Sequence, residues 1–241
     1  MKLAGRAILF LIVVGLTVLT MTAPPAENFP NHDLARIIFW HLPAALVCSL
    51  FVMAAPYFAF RYLKSRERHW EIRCEAAMEI TLLSGTLTLL TGIIFSKVQW
   101  GAYWNWDPRQ TSFLLAMLMI GAYFALRFAY MDQEKRASIS SAYVLACILP
   151  ILFLIFVMPR VLFSLHPSTT IIKNEFDPTY KSIFYSMFLV SLAIYIWIYR
   201  MRVRAGLMEA EHSTYDGKLA NSDDPAPTGV VRPVSLHDFG G

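Results

Sequence analysis

Three tryptophans and a tyrosine crowd into Trp100-Gly101-Ala102-Tyr103-Trp104-Asn105-Trp106-Asp107-Pro108-Arg109. Flat indole rings at such spacing do one of two things. They anchor a chain at the membrane–water boundary, where Trp and Tyr gather, or they form a platform for a flat, apolar ligand. An anchoring belt accounts for one or two such residues at a span end. It leaves Trp100, Trp104 and Trp106, in one segment with Gly101, Asp107 and Arg109, unexplained. Composition alone keeps both readings open.

Of six histidines, two occupy comparable places. His41 lies in Phe39-Trp40-His41-Leu42-Pro43 and His166 in Phe163-Ser164-Leu165-His166-Pro167, both toward the side of the Trp segment. Taken singly, each is explained as a hydrogen-bonded interfacial imidazole. As a pair they say more, because an ionisable side chain in or near a span is a functional hypothesis by default. Two imidazoles at one level beside indoles suit the two axial positions of a haem iron.

A haem also brings two propionates, which need cations. Arg36 and Arg109 lie close in sequence to His41 and to the Trp segment, and a guanidinium fork matches a carboxylate. Arg36 reads equally as a charge flanking a span. Asp107 would repel propionates, so its expected work is to order the loop by accepting hydrogen bonds. Cys48, Cys74 and Cys147 are scattered and no Cys-x-x-Cys-His occurs, so the haem would be haem b, held non-covalently.

What must position these residues is a membrane bundle. The 241 residues are 56% hydrophobic and only 16% charged, with mean hydropathy +0.48. A soluble domain carries about a quarter charged residues. Several apolar runs reach the roughly 20 residues a spanning helix needs, and lipid leaves helices as the way to satisfy such backbone. Spans are expected at about 7–23, 37–63, 75–96, 111–131, 139–162 and 179–200. The fold class is therefore an all-α membrane protein, a bundle of six transmembrane helices with an outward-facing Trp-rich loop.

Basic residues give the orientation. Lys2 and Arg6, Arg61 to Arg73, Arg127 to Arg136, and Arg200 to Arg204 gather at one set of span ends. The positive-inside rule makes both termini cytoplasmic in a multi-pass inner-membrane protein, and puts segments at about 24–36, 97–110 and 163–178 outside. Clustered this way, the net charge of +4 reads as topology signal and lipid contact, with no nucleic-acid partner. The first span resembles a signal peptide, but Pro24-Pro25 makes a poor cleavage neighbourhood, so an uncleaved anchor is expected. A membrane domain of about 1–204 is followed by a polar stretch of about 205–241, expected to be a disordered cytoplasmic tail.

The pattern Trp100-Gly101-x-x-Trp104-x-Trp106-Asp107-x-Arg109-x-Thr111 resembles the WWD signature of the haem-handling proteins of cytochrome c assembly. Six spans, this length and a histidine in each flanking outer segment resemble the CcmC family in particular. Phe39-x-His41-x-Pro43-Ala44 is similar to that family's segment around its first histidine. The resemblance covers roughly residues 1–204. It implies that His41 and His166 ligate haem iron, that Arg36 contacts the haem, and that the Trp-rich segment lies at the outer membrane face. It further implies delivery of haem to a periplasmic haem chaperone (CcmE-like) for c-type cytochrome biogenesis. ABC transporter subunits (CcmA/CcmB-like) and a small single-span CcmD-like protein are the implied companions. Two features depart from the family: the segment before His166 lacks the usual tryptophans, and Pro167 follows it directly.

No residue set for bond-making catalysis is evident, so the expected role is binding and transfer rather than an enzyme's. The alternative is a cytochrome c synthetase component that attaches haem directly, but relatives of that kind look larger. An electron-transfer cytochrome b would need histidines deep within facing spans, and a small-molecule transporter a central polar pathway. Ligating imidazoles must be neutral at the bonding nitrogen, so acid is expected to favour release.

Overall fold

Helices in lipid approach closely only where one of them presents small side chains, and the third helix of this protein does so along one face. The computed structural model describes residues 3–26, 29–166 and 177–220. Among these the regular elements are all helical: α1 (Leu3–Thr22), α2 (Ile38–Ser65, led in by a 3-10 turn at Leu34–Ile37), α3 (Arg68–Trp100), α4 (Pro108–Ala129), α5 (Gln133–Leu152), α6 (Met158–Val161) and α7 (Pro178–Ala220). A π turn at Phe153–Val157 joins α5 to α6 as one path, Gln133–Val161. Pro159, which has no N–H to donate, lies just beyond that wider turn.

Five stretches are long and apolar enough to cross a membrane: Leu34–Ser65, Arg68–Trp100, Pro108–Ala129, Gln133–Val161 and Pro178–Ser213. Ala7–Thr22 is a shorter apolar helix. The protein is thus an all-α membrane protein, with helices where the sequence places its six spans.

The helix ends differ in instructive ways. The third span is expected from about residue 75, yet α3 starts at Arg68. Glu71 and Glu75 fit inside because Arg127 lies 2.7 Å and 2.9 Å from them. At its other end α3 continues to Trp100, so this tryptophan is helical rather than part of the loop. Residues 205–220 correct the expectation of a disordered tail, because they extend α7. Ala205, Leu207, Met208, Glu209, Ala210 and Glu211 are strong helix formers, and no proline interrupts them. The remainder of that tail, 221–241, lies outside the described residues. The bundle belongs to one compact unit, Met1–Val203, and Arg204 opens a second.

Ala76, Ala77, Thr81, Ser84, Gly85 and Thr88 form the buried face of α3. A Cβ on Gly85 would crowd the Met117 thioether of α4 and stand 3.2 Å from Cys48 Sγ of α2, so the glycine lets three helices meet there without displacing the Met117 side chain. The hydroxyls of Thr81, Ser84 and Thr88 donate to carbonyls one turn back, at 2.9, 2.6 and 2.8 Å, and need no partner on another helix. Val47, Phe51, Met78, Ile120, Tyr123 and Tyr195 fill the core around this face. A second cluster of Ala23, Phe29, Phe39, Phe95, Tyr180 and Ile183 fastens the end of α1 and the start of α7 to α2 and α3, two residues from His41.

Candidate functional site

Two chain punctuations frame the Trp segment. Gly101 takes φ +84° and closes α3, its N–H donating to the Lys97 carbonyl at 3.1 Å, a backbone state costly for residues with a Cβ. Asp107 caps α4 by accepting from the Arg109 N–H at 2.9 Å, with Pro108 in the first turn. Between them, the Asn105 amide donates to Ser96 Oγ at 2.7 Å and to the Ala102 carbonyl at 3.2 Å. The Asn105 N–H donates to Gln110 Oε1 at 3.1 Å. The loop is therefore held to both helices.

The three indoles do not form a single wall. Trp100 meets Phe95 edge-to-face, with centroids 5.6 Å apart, and packs on the cluster behind His41. Trp104 and Trp106 meet each other at 88°, with centroids 6.2 Å apart. Trp106 stands at φ +53°, which costs a bulky residue on the order of 1–3 kcal/mol. That backbone accompanies an indole that is 79% exposed. Strain that presents an apolar ring to the surroundings is a functional pointer.

The histidines come together. His41, on the first turn of α2, and His166, beyond α6, have ring centroids 6.4 Å apart and planes 41° apart. His41 Nδ1 lies 3.0 Å from Thr91 Oγ1 on α3. A Cβ on Gly92 would lie 3.1 Å from His41 Cε1, so the glycine makes room for the ring.

His166 is placed by Asp107. Besides capping α4, that carboxylate accepts from Ser164 Oγ at 2.9 Å and from the Leu165 N–H at 2.7 Å. Ser164 Oγ in turn accepts from the His166 N–H at 3.1 Å. Burial, reinforced by the charge of Arg109 and then by His41, pushes the His166 imidazole down from 6.5 to about 3, so it is neutral at pH 7. Pro167, which follows it, lies outside the described residues.

Among the described residues, His166 Nδ1, Arg109 Nε and Thr111 Oγ1 are buried here without a hydrogen-bond partner. Buried polar atoms are usually satisfied, and orphans at a site are what a ligand would engage. The charge of Arg109 acts on both imidazoles, and Arg160 lies near enough to act on Arg109. Arg36 is engaged elsewhere. Its Nε and Nη2 donate to the Ala23 carbonyl at 2.9 and 2.5 Å, and Nη2 lies 3.4 Å from Asp33. This ties the segment after α1 to the lead-in of α2.

Ring centres 6.4 Å apart leave the two imidazoles near enough to ligate one metal held between them. Among the described residues no group of three or more His, Cys, Asp or Glu side chains could hold a bare metal ion. Two ligands suit an iron whose other bonds are made by a porphyrin, and the residues present fit haem. Sequence reasoning did not find Thr91, Gly92 or Ser164: a small or hydroxylated residue in an apolar helix or a loop reads only as packing or a turn. The two-residue spacing of Ser164 from His166 is a faint signal at best.

A family model described as "Heme exporter protein C" matches residues 1–216. Curated relatives carrying that description include one from Paracoccus denitrificans, 30% identical over 145 residues, which covers 58% of this chain and 60% of the relative. In that alignment the chain spans only about 60% of the relative's length. Those from Escherichia coli K12, 26% identical over 222 residues, and Haemophilus influenzae, 24% identical over 214 residues, are matched over longer stretches. They cover 86% and 85% of this chain, and 87% and 84% of the relatives.

Proposed function

The chain belongs to the haem exporter protein C (CcmC) family, and on that premise we propose that it binds haem between His41 and His166 and passes it on for c-type cytochrome biogenesis. The observation that carries this reading is the His41–His166 pair at 6.4 Å. Haem, when bound, would supply an iron for the two imidazoles to ligate and two propionates to be neutralised. His41 offers an imidazole fixed from α3, and His166 one held through Asp107 and Ser164. Arg109 is the stronger propionate partner, since its Nε is free to donate. Arg36 takes that role only by sharing a guanidinium that already serves Ala23 and Asp33. Trp104 and Trp106 supply the apolar boundary toward the loop, and Trp100 and Gly101 set its foot.

The distribution of Lys and Arg supports an outward-facing site with both termini in the cytoplasm. A site at the bundle end, on a loop and a helix terminus, would suit handover to a soluble acceptor. The family premise makes that acceptor a periplasmic haem chaperone, with ABC transporter subunits and a small single-span protein as companions.

The test is the absorption spectrum of the purified protein supplied with haem, compared with His41→Ala and His166→Ala. A low-spin spectrum in the parent, lost or altered in each variant, is expected. A folded parent that takes up no haem, or spectra unchanged in both variants, would sink the site.

The depressed imidazole has a pH consequence. Unfolded His166 takes up a proton near 6.5, whereas the folded one does so only near 3. The folded state therefore loses stability as pH falls below 6.5, by at most roughly 1.4 kcal/mol per pH unit from this residue. Thermal unfolding of the haem-free protein between pH 7 and 4 should show the decline, and His166→Gln should make it shallower. An identical pH profile in the variant would refute the assignment. Mild acid near pH 5 is accordingly not expected to protonate His166 in the folded protein, so acid release sets in lower than a free imidazole would suggest.

A further inference from the structure

His41 is built differently from its partner. It sits on the first turn of a long helix, and α3 presents Thr91, Gly92 and the Thr88 backbone, a second hydrogen-bond partner, to its ring. Thr91 has one hydroxyl proton. Its Oγ1 lies 2.6 Å from the Leu87 carbonyl and 3.2 Å from that of Thr88, and a carbonyl can only accept. The proton is therefore directed at the backbone, and the lone pairs of Oγ1 face His41 Nδ1 at 3.0 Å. An oxygen that can only accept demands a proton on Nδ1, which leaves Nε2 with a bare lone pair. Gly92 leaves the room the ring occupies: an added Cβ there would be 3.1 Å from Cε1 and 3.6 Å from Nδ1. Among the described residues His166 has no comparable partner, and its Nδ1 is buried without a hydrogen bond.

We propose that Thr91 is the positioning residue for the haem ligand His41, holding its imidazole with Nδ1 protonated and Nε2 aimed for coordination before any haem arrives. The proposal rests on the reading of His41 as a ligand and deepens it. Partners of this kind fix the tautomer and orientation of a ligating histidine, and their loss typically weakens binding 10–100-fold. Thr91 touches neither iron nor porphyrin in this role. It acts through His41.

The experiment uses the full chain in detergent, labelled with 15N in histidine, as the parent, Thr91→Val and Thr91→Ser. The first readout is haem-free: the 15N shifts assigned to His41 by their disappearance in His41→Gln. The parent is expected to show one tautomer, protonated at Nδ1, with Thr91→Ser alike and Thr91→Val a mixture. The second is haem titration followed by absorption, where Thr91→Val should bind 10–100-fold more weakly and Thr91→Ser near the parent. A parent ring protonated at Nε2, or a Thr91→Val ring with the parent's tautomer, overturns the proposal. Equal haem affinity in Thr91→Val and the parent overturns it too. Because the first readout needs no haem, its failure leaves the haem reading standing, whereas a parent that takes up no haem defeats that reading instead.

Discussion

Asp107→Ala is expected to leave a folded bundle that binds haem on the order of a hundredfold more weakly. The residue does two jobs with one carboxylate. It caps α4 through the Arg109 N–H, a role worth about 1 kcal/mol. It also receives Ser164 Oγ and the Leu165 N–H, hydrogen bonds to a charged acceptor worth roughly 1.5–3 kcal/mol each. Losing the second pair releases the segment that carries His166, so one ligand must be ordered at the moment of binding. About 3 kcal/mol of such ordering corresponds to the hundredfold loss. Haem titration of Asp107→Ala and Asp107→Asn, with helix content checked by circular dichroism, decides the matter. Asparagine keeps an acceptor and should fall between alanine and the parent. Tighter binding in Asp107→Asn would show instead that repulsion of the propionates dominates, and equal affinity in all three would remove Asp107 from the site.

Arg127→Met should lower the thermal midpoint by on the order of 10 °C, at the end of the bundle away from the Trp loop. Its Nη2 lies 2.7 Å from Glu71 Oε1 and 2.9 Å from Glu75 Oε2, and its Nη1 donates to Ser140 Oγ at 3.0 Å. Arg202 of α7 completes the group through Glu79, at 2.7 Å. Arg127 and Glu71 are 7% and 5% exposed, so removing the cation strands a buried carboxylate. That costs about 3–5 kcal/mol, far more than an exposed pair would. The double variant Arg127→Met, Glu71→Gln should recover part of the loss, because no uncompensated charge remains at Glu71. A midpoint within about 2 °C of the parent in Arg127→Met would mean that water reaches the group and the ionic network holds little.

Much of this protein was legible along the chain. Apolar run length and scarce charge determine six helices, because in lipid the backbone has no other partner than itself. The types and spacing around Trp100 to Arg109 marked the loop, and two histidines toward the same side marked the candidate pair. Those features are local: each needs only a residue's identity and its distance along one helix.

The tertiary structure decided what depends on neighbours far away in sequence. Glu71 lies inside α3 rather than before it, and it and Glu75 are neutralised there by Arg127 on another helix. Trp100 belongs to packing and Trp106 to the exposed rim because Gly101 ends the helix between them with a left-handed turn. Arg36 caps the segment after α1, since the Ala23 carbonyl is within its reach. Asp107 reaches Ser164 and Thr91 reaches His41 across gaps that no sequence pattern encodes. Periodicity specifies which face of a helix is apolar, but a hydrogen bond of 3 Å requires the angle and depth at which two helices meet. Those depend on residues such as Gly85 and Gly92, which leave space by having no Cβ.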